Sequence, residues 1–193
     1  KLDPDKIFGL VIWCLIFGYL GSKILFCITV IDKIIADPAY ILHSLQNGWV
    51  VYGGLIGGII GGCLYCRHKK VNFMSYFDLA VPSVALAQGF GRIGCFLAGC
   101  CYGRPTDGPL GITFTHSDFA PNGVSLIPTQ EISSLLNFLN FFVLINIAKK
   151  KKAEGQVGGF YLIFYSIGWF ILELYQGDLE RGSVGSLSTS QFI

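Results

Sequence analysis

Apolar residues in this chain gather in long runs instead of alternating with polar ones. Five runs stand out: Ile7–Ile31, Trp49–Cys66, Phe77–Ala98, Ile132–Ala148 and Val157–Tyr175. Each holds about 17 to 25 residues. At about 1.5 Å per residue, helices of that length reach across a hydrocarbon core of about 30 Å, the shortest only just. Lipid offers the backbone no hydrogen-bond partner, so such runs predict helices and not sheet. The expected fold is all-α: a polytopic helical membrane bundle of about five transmembrane helices, forming one integral-membrane domain over residues 1–193. Asp3-Pro4 reads as the start of the first helix, with proline in its first turn. Thr129 reads as the N-cap of the fourth. The first run is too long for a signal-peptide core and lacks a small-residue cleavage site, so a retained helix is expected. The opening Lys1 and the closing segment Leu187–Ile193 suggest a chain trimmed at both ends.

Composition agrees with the runs. Of 193 residues, 52% are hydrophobic and only 13% charged, against roughly 25% charged in soluble domains. The basic residues set an expected orientation. With the N-terminus inside, the cytoplasmic segments hold Lys1, Lys6, Arg67, Lys69, Lys70 and Lys149 to Lys152, nine in all, against Lys33, Arg104 and Arg181 outside. The external segments are then 32–48, 103–131 and 176 onward. Lys149 to Lys152 reads as a topology anchor against anionic lipid. A net charge of +2 argues against a nucleic-acid partner. The long external connection Tyr102–Glu131, rich in Pro and Gly, has the length of a cap over a site.

The second run carries two offset series, Gly53/Gly57/Gly61 and Gly54/Gly58/Gly62. Small residues at this spacing let helix backbones approach closely in lipid. A groove for an acyl chain or headgroup is the alternative, and a dinucleotide loop is excluded because no strand precedes the glycines.

Arg92 is the most informative residue. It stands inside the uncharged stretch Leu79–Leu97, where a guanidinium costs about 2.5 kcal/mol or more unless it faces a cavity or a partner. Glu173 is a second intramembrane charge near the external end of the last run, at a depth where it could pair with Arg92. Tyr52 lies at a similar level, as an interfacial aromatic or a site residue. Arg104 lies just outside, Gln130 and His116 fall in external segments, and His116 reads as a solvated loop residue. Two arginines, a Glu and a Tyr at the outer interface suit a phosphate headgroup, since Arg presents a fork of donors to phosphate oxygens. The seven cysteines divide into Cys14, Cys27, the Cys63/Cys66 pair, and Cys95, Cys100 and Cys101. The last two groups fall at opposite ends of the bundle, so a single four-cysteine zinc site is not expected. Packing is the ordinary role of membrane cysteines. Thiol–disulfide chemistry at Cys95, Cys100 and Cys101 is the alternative function, and a non-catalytic phospholipid-binding protein is another. No metal and no cofactor is expected.

Taken together, Tyr52-Gly53-Gly54-Leu55-Ile56-Gly57-Gly58, the stretch from Gly91-Arg92-Ile93-Gly94 to Tyr102-Gly103-Arg104, Pro128-Thr129-Gln130, and Glu173 ahead of Gly177-Asp178 resemble the bacterial prolipoprotein diacylglyceryl transferases. The resemblance runs over nearly the whole chain, and Gly-Arg-x-Gly is its most specific part. It implies a bacterial plasma-membrane enzyme with its site toward the outer face. That enzyme moves diacylglyceryl from phosphatidylglycerol to the lipobox cysteine of a prolipoprotein. Its partners are phosphatidylglycerol, the prolipoprotein signal peptide and membrane lipids. By this resemblance Arg92, Glu173 and Tyr52 are catalytic, and Arg92, Gly54, Gly103, Arg104 and Gln130 bind substrate. Several positions depart from the family pattern. Tyr52 and Ile127 stand where members have His, Cys95 and Cys100 where Asn and Glu are common, and Trp169 where Arg is expected. The family's first and last spans are missing. Tyr, with an ordinary pKa of about 10, is a poor base at neutral pH, so Tyr52 is expected to orient a partner by hydrogen bonding.

Overall fold

A computed structural model of the chain describes residues 3–37, 40, 48–177, 183–184 and 187–188. Lys1, Asp178 and Arg181 lie outside the described residues. The chain divides into two compact units, 1–76 and 77–193.

The first unit holds α1 (Pro4–Thr29), the short α2 (Ile31–Ala36) and α3 (Val51–His68). The expected start of α1 is found: Asp3 accepts a hydrogen bond from the Asp5 amide at 3.1 Å, and Pro4 follows in the first turn. Helices α1 and α3 pack backbone against backbone. A Cβ on Gly53 would strike the carbonyl oxygen of Gly21, one on Gly57 that of Phe17, and one on Gly61 would come within 2.9 Å of the Trp13 carbonyl. The packing reading of the glycines therefore holds for Gly53, Gly57 and Gly61. Gly54 and Gly58 keep ordinary contacts, their nearest neighbours standing 3.6 Å from such a Cβ. Lys23 is buried, donating to the Gly48 carbonyl at 3.0 Å with its ammonium 3.9 Å from the centre of the Trp49 ring. That satisfies a charge carried on an apolar helix. Leu10, Tyr65, Cys66 and Tyr76 form this unit's core.

Helix α4 (Phe73–Ala98) begins at the end of the first unit and runs through the second, which adds the strands β1 (Ile112–Thr113) and β2 (Ser125–Leu126). Then come α5 (Thr129–Lys149), α6 (Gln156–Glu173), β3 (Ser183–Val184) and β4 (Leu187–Ser188). The strands pair antiparallel, Ile112 opposite Leu126 and Ser183 opposite Ser188. Val81, Ala85, Leu144, Val157 and Tyr161 make the core, and Ser134 on α5 donates to the Gly89 carbonyl of α4 at 2.9 Å. Buried Asp78 ties down the other end of α4. Its carboxylate accepts the Gly155 and Gly158 amides at 2.8 and 2.9 Å, at the N-terminus of α6, and Lys151 lies 3.4 Å away. A carboxylate there satisfies orphan amides and complements the helix dipole.

One expectation changes and another is met in part. Thr129 is the first residue of α5, not its cap: Pro128 holds the cap position, and the Thr129 hydroxyl donates to the Cys101 carbonyl at 3.0 Å instead. Among the described residues, three helices are long and apolar enough to cross a membrane, α1, α4 and α5, where about five were expected. Helices α3 and α6 hold 18 residues each. Both carry polar residues at their ends, Arg67 and His68 on α3 and Gln156 and Glu173 on α6. Much of the helical surface is nonetheless greasy: Phe8, Leu15, Leu97, Phe142 and Ile163 are all exposed.

Candidate functional site

The second unit gathers most of the expected site residues around the end of α4 that carries Arg92. Arg92 is half-buried, and its guanidinium carbon stands 4.7 Å from the centre of the Trp169 ring on α6. Trp169 tops a ladder of stacked rings at helical spacing, Tyr161, Tyr165 and Trp169. The ladder is tied to α4 at its lower end, where the Tyr161 hydroxyl donates to Gln88 at 2.9 Å. Gln88 and Arg92 are one turn apart, so one face of α4 meets one face of α6 at both levels. Glu173 lies one turn beyond Trp169 and is 7% exposed.

Arg92 also lines a pocket of about 220 Å³ with Ile93, Phe96, Glu131, Ser134, Leu135 and Phe138. Its walls are apolar and its polar groups few, as in sites for amphiphilic ligands. Glu131 is the residue that sequence reasoning missed. The side chain is half-buried, yet both carboxylate oxygens are shut from solvent with no hydrogen-bond partner among the described residues. A signal was available: Gln130, Ser133, Ser134, Asn137 and Asn140 recur at helical spacing along an otherwise apolar helix, and all five are buried. A second cavity of about 280 Å³, between α5 and α6, is lined by Asn137, Asn140, Phe164, Trp169 and Leu172 among others.

Beyond α4 the chain turns sharply, for reasons visible in its residues. Gly99 adopts a left-handed φ of +71°, its amide bonds to the Phe96 carbonyl, and the Cys100 amide reaches back to the Cys95 carbonyl at 3.1 Å. This is a Schellman ending, which brings the side chains at positions 95 and 100 into proximity. Cys101 then takes a left-handed φ of +58°, unusual for a side-chain-bearing residue. Two residues of α5 hold the strained segment: Gln130 donates to the Cys100 carbonyl at 2.9 Å and Thr129 to the Cys101 carbonyl at 3.0 Å. The three sulfurs of Cys95, Cys100 and Cys101 come within 4.8 Å of one another. Burial, with Cys101 and Cys95 beside it, pushes the Cys100 thiol up to about 12.

Gly103 is sandwiched. It bridges to Gln176, and a Cβ would strike the Ile127 carbonyl oxygen, so only glycine fits. The Arg104 amide donates to the Tyr175 carbonyl at 2.9 Å and its Nε to the Gln176 carbonyl at 3.3 Å. Gln130 and Gly103 thus hold together the loop that carries Cys100 and Cys101. His116 is exposed and contacts Thr115, a solvated loop residue as expected. Tyr52 and Gly54 belong to the first unit, in the opening turn of α3, with Tyr52 46% exposed.

Comparison with known proteins supplies the context. The profile of the family described as prolipoprotein diacylglyceryl transferase matches residues 1–193. The phosphatidylglycerol–prolipoprotein diacylglyceryl transferase of Clostridium tetani is 51% identical over 191 residues, 99% of this chain and 76% of that protein. A second enzyme of that name, from Clostridium perfringens, is 48% identical over 99% of this chain and 74% of its own length. The Staphylococcus aureus enzyme is 32% identical over 92% of this chain and 65% of its own. These likenesses favour a transferase over the thiol oxidoreductase that the cysteines alone would allow.

Proposed function

Because the chain belongs to the prolipoprotein diacylglyceryl transferase family, we propose that it transfers diacylglyceryl from phosphatidylglycerol to the lipobox cysteine of prolipoproteins. The acceptor sulfur attacks the diacylglyceryl carbon that bears the phosphate. A carbon–sulfur bond forms, the carbon–oxygen bond breaks, and glycerol phosphate leaves with the electron pair. The thiol proton departs with it or to solvent.

One observation carries this reading: a half-buried arginine, backed by an indole face, opens into a pocket with apolar walls. Arg92 holds the donor phosphate and the negative charge that grows on it during departure. Phe96, Leu135 and Phe138 offer acyl chains an apolar surface. Gly103, Arg104 and Gln130 bind the donor from the loop after α4, and in the first unit the family resemblance assigns donor binding to Gly54 and Tyr52, Tyr52 as an orienting hydroxyl. Glu173 and Glu131 are the carboxylates available to relay a proton through water. The five long helices all lie in the bacterial plasma membrane as one integral-membrane domain. The N-terminus of α1 is cytoplasmic and the site faces outward, where signal peptides present the lipobox.

The test is direct. Purified intact protein is incubated with phosphatidylglycerol and a lipobox peptide, and the peptide is weighed by mass spectrometry. A diacylglyceryl mass gain on the cysteine is expected. No gain, with a working family enzyme in parallel, rejects the proposal.

A further inference from the structure

The family reading leaves unexplained the cluster of three thiols one turn from Arg92, in a chain whose family histidine position holds Tyr52. We propose that Cys95, Cys100 and Cys101 bind one zinc ion, and that the ion's open fourth position takes the acceptor thiol of the prolipoprotein and deprotonates it. The inference rests on the transfer activity proposed above and adds how the nucleophile is made.

The geometry points to a metal. Tetrahedral zinc with bonds of about 2.3 Å to sulfur spaces its sulfurs about 3.8 Å apart. Here all three sulfurs already lie within 4.8 Å of one another, so shifts of about an ångström close the site. The segment is also held in a conformation that costs energy. The Schellman ending sets Cys100 against Cys95, and Cys101 sits at a left-handed φ of +58°. Strain of this kind persists where surroundings impose it, and it gathers at functional sites. Here the clamps are Gln130 and Thr129, each bonding one of the two cysteine carbonyls. All three cysteines are half-buried, so the cluster is reachable by a fourth ligand. Thiolates select zinc among available divalent ions, and catalytic zinc characteristically keeps three protein ligands and one open position.

The chemistry fits the reaction. A thiol is a nucleophile only as thiolate, and coordination to zinc removes its proton at neutral pH. Four thiolates on one dication leave a net charge of −2, so the bound sulfur stays electron-rich. Arg92 and Cys95 are three residues apart on α4, neighbours on one helical face about 5–6 Å apart at Cβ. An in-line displacement needs the sulfur about 3 Å from the carbon, with the phosphate on the far side. Arg92 and Cys95 on one face of α4 put a phosphate held by the arginine and a thiol held by the zinc on the same side of that helix. The proton leaves to solvent or to the departing phosphate, and the metal undergoes no redox change.

The experiment uses the intact protein in detergent under reducing conditions. Zinc per chain is measured on the protein as isolated and after chelator treatment. Cobalt(II) is then loaded, and its thiolate charge-transfer band is followed on adding a lipobox peptide or its Cys→Ser counterpart. About one zinc per chain is expected. Each of Cys95→Ser, Cys100→Ser and Cys101→Ser should weaken zinc binding at least about 100-fold, the upper end of what losing an outer-shell partner costs. The cobalt band should intensify with the cysteine peptide alone, and chelation should abolish transfer until zinc returns. A zinc-free protein that transfers at full rate overturns the inference and leaves the transferase reading standing. So does a cobalt band unmoved by the peptide, or a Cys95–Cys100 disulfide in place of metal. A band that responds to the peptide in a protein that never transfers lipid supports the metal site and rejects the transferase reading instead. The wild-type arms need no variant to fold.

Discussion

The guanidinium of Arg92 rests 4.7 Å from the centre of the Trp169 ring, an aromatic at the position where the family resemblance leads one to expect a second arginine. A ring face balances a cation without neutralising it, so the positive charge remains available to a phosphate. Arg92→Ala is expected to fold and to lose transfer at least about 100-fold, in the range of losing an electrostatic stabiliser of the transition state. Arg92→Lys should be nearly as poor, because an ammonium cannot present the planar fork. Trp169→Ala should raise the KM for phosphatidylglycerol by roughly 3- to 30-fold, the worth of a cation–π contact of about 0.5–2 kcal/mol, with Trp169→Phe intermediate. Steady-state kinetics with phosphatidylglycerol vesicles checks all three.

Glu131 opens a test of whether its misfit is kept for function. Its oxygens are shut from solvent and have no hydrogen-bond partner among the described residues. Burying an unsatisfied polar group costs about 1–3 kcal/mol, while an acid in the first turn of a helix gains about 0.3–1 kcal/mol from the dipole. The cost wins. Glu131→Leu should therefore raise the thermal unfolding midpoint while lowering transfer at least about tenfold, the modest end of a lost proton-relay group. An unfolding scan beside the transfer assay reads both. A variant that is more stable and fully active would reduce Glu131 to an accident of packing.

Gly57 and Gly54, one from each glycine series, should respond differently. Gly57→Ala drives a methyl into the Phe17 carbonyl and should destabilise the protein by about 1–3 kcal/mol, the usual range for overpacking. Gly54→Ala meets atoms no closer than 3.6 Å and should change stability by under about 0.5 kcal/mol. Any loss of transfer in Gly54→Ala then reports contact with the donor lipid. Thermal unfolding and KM for phosphatidylglycerol separate the two effects.

Asp78→Ala removes the acceptor for two helix-end amides and the partner of Lys151. Leaving those groups unsatisfied should cost about 2–4 kcal/mol of stability. Transfer per folded molecule should be unchanged, because Asp78 holds the opposite end of α4 from Arg92. Yield and unfolding midpoint should fall while kcat of the folded fraction holds.

The helices were legible because apolar runs leave lipid-facing chain little choice. Ile132–Ala148 anticipated Thr129–Lys149, and the end of α4 at Ala98 was placed to the residue. Arg92 was legible for the same reason, as a charge where charge is expensive. Contacts made by the loops were not. Thr129 looks like a cap in sequence, yet its hydroxyl serves a carbonyl twenty-eight residues earlier, a pairing fixed by how α5 meets the turn after α4. Glu131 adjoins the Pro-Thr-Gln motif but differs from an ordinary first-turn acid only by being shut from water. Asp78 reads as one polar residue near a helix start, and only the fold brings the N-terminus of α6 to it.

The meeting of α1 and α3 has a consequence for how such a chain can drift through mutation. At Gly21, Gly53 and Gly57 the opposing helix offers main-chain atoms, which no repacking of side chains can move aside. Leu55, Ile56, Ile59 and Ile60 on the same helix are exposed and answer only to being apolar. Substitution in α3 is therefore free on one side and closed on the other. A saturation library of that helix should return a periodic fitness trace, with troughs at residues 53, 57 and 61 and plateaus at the isoleucines between them.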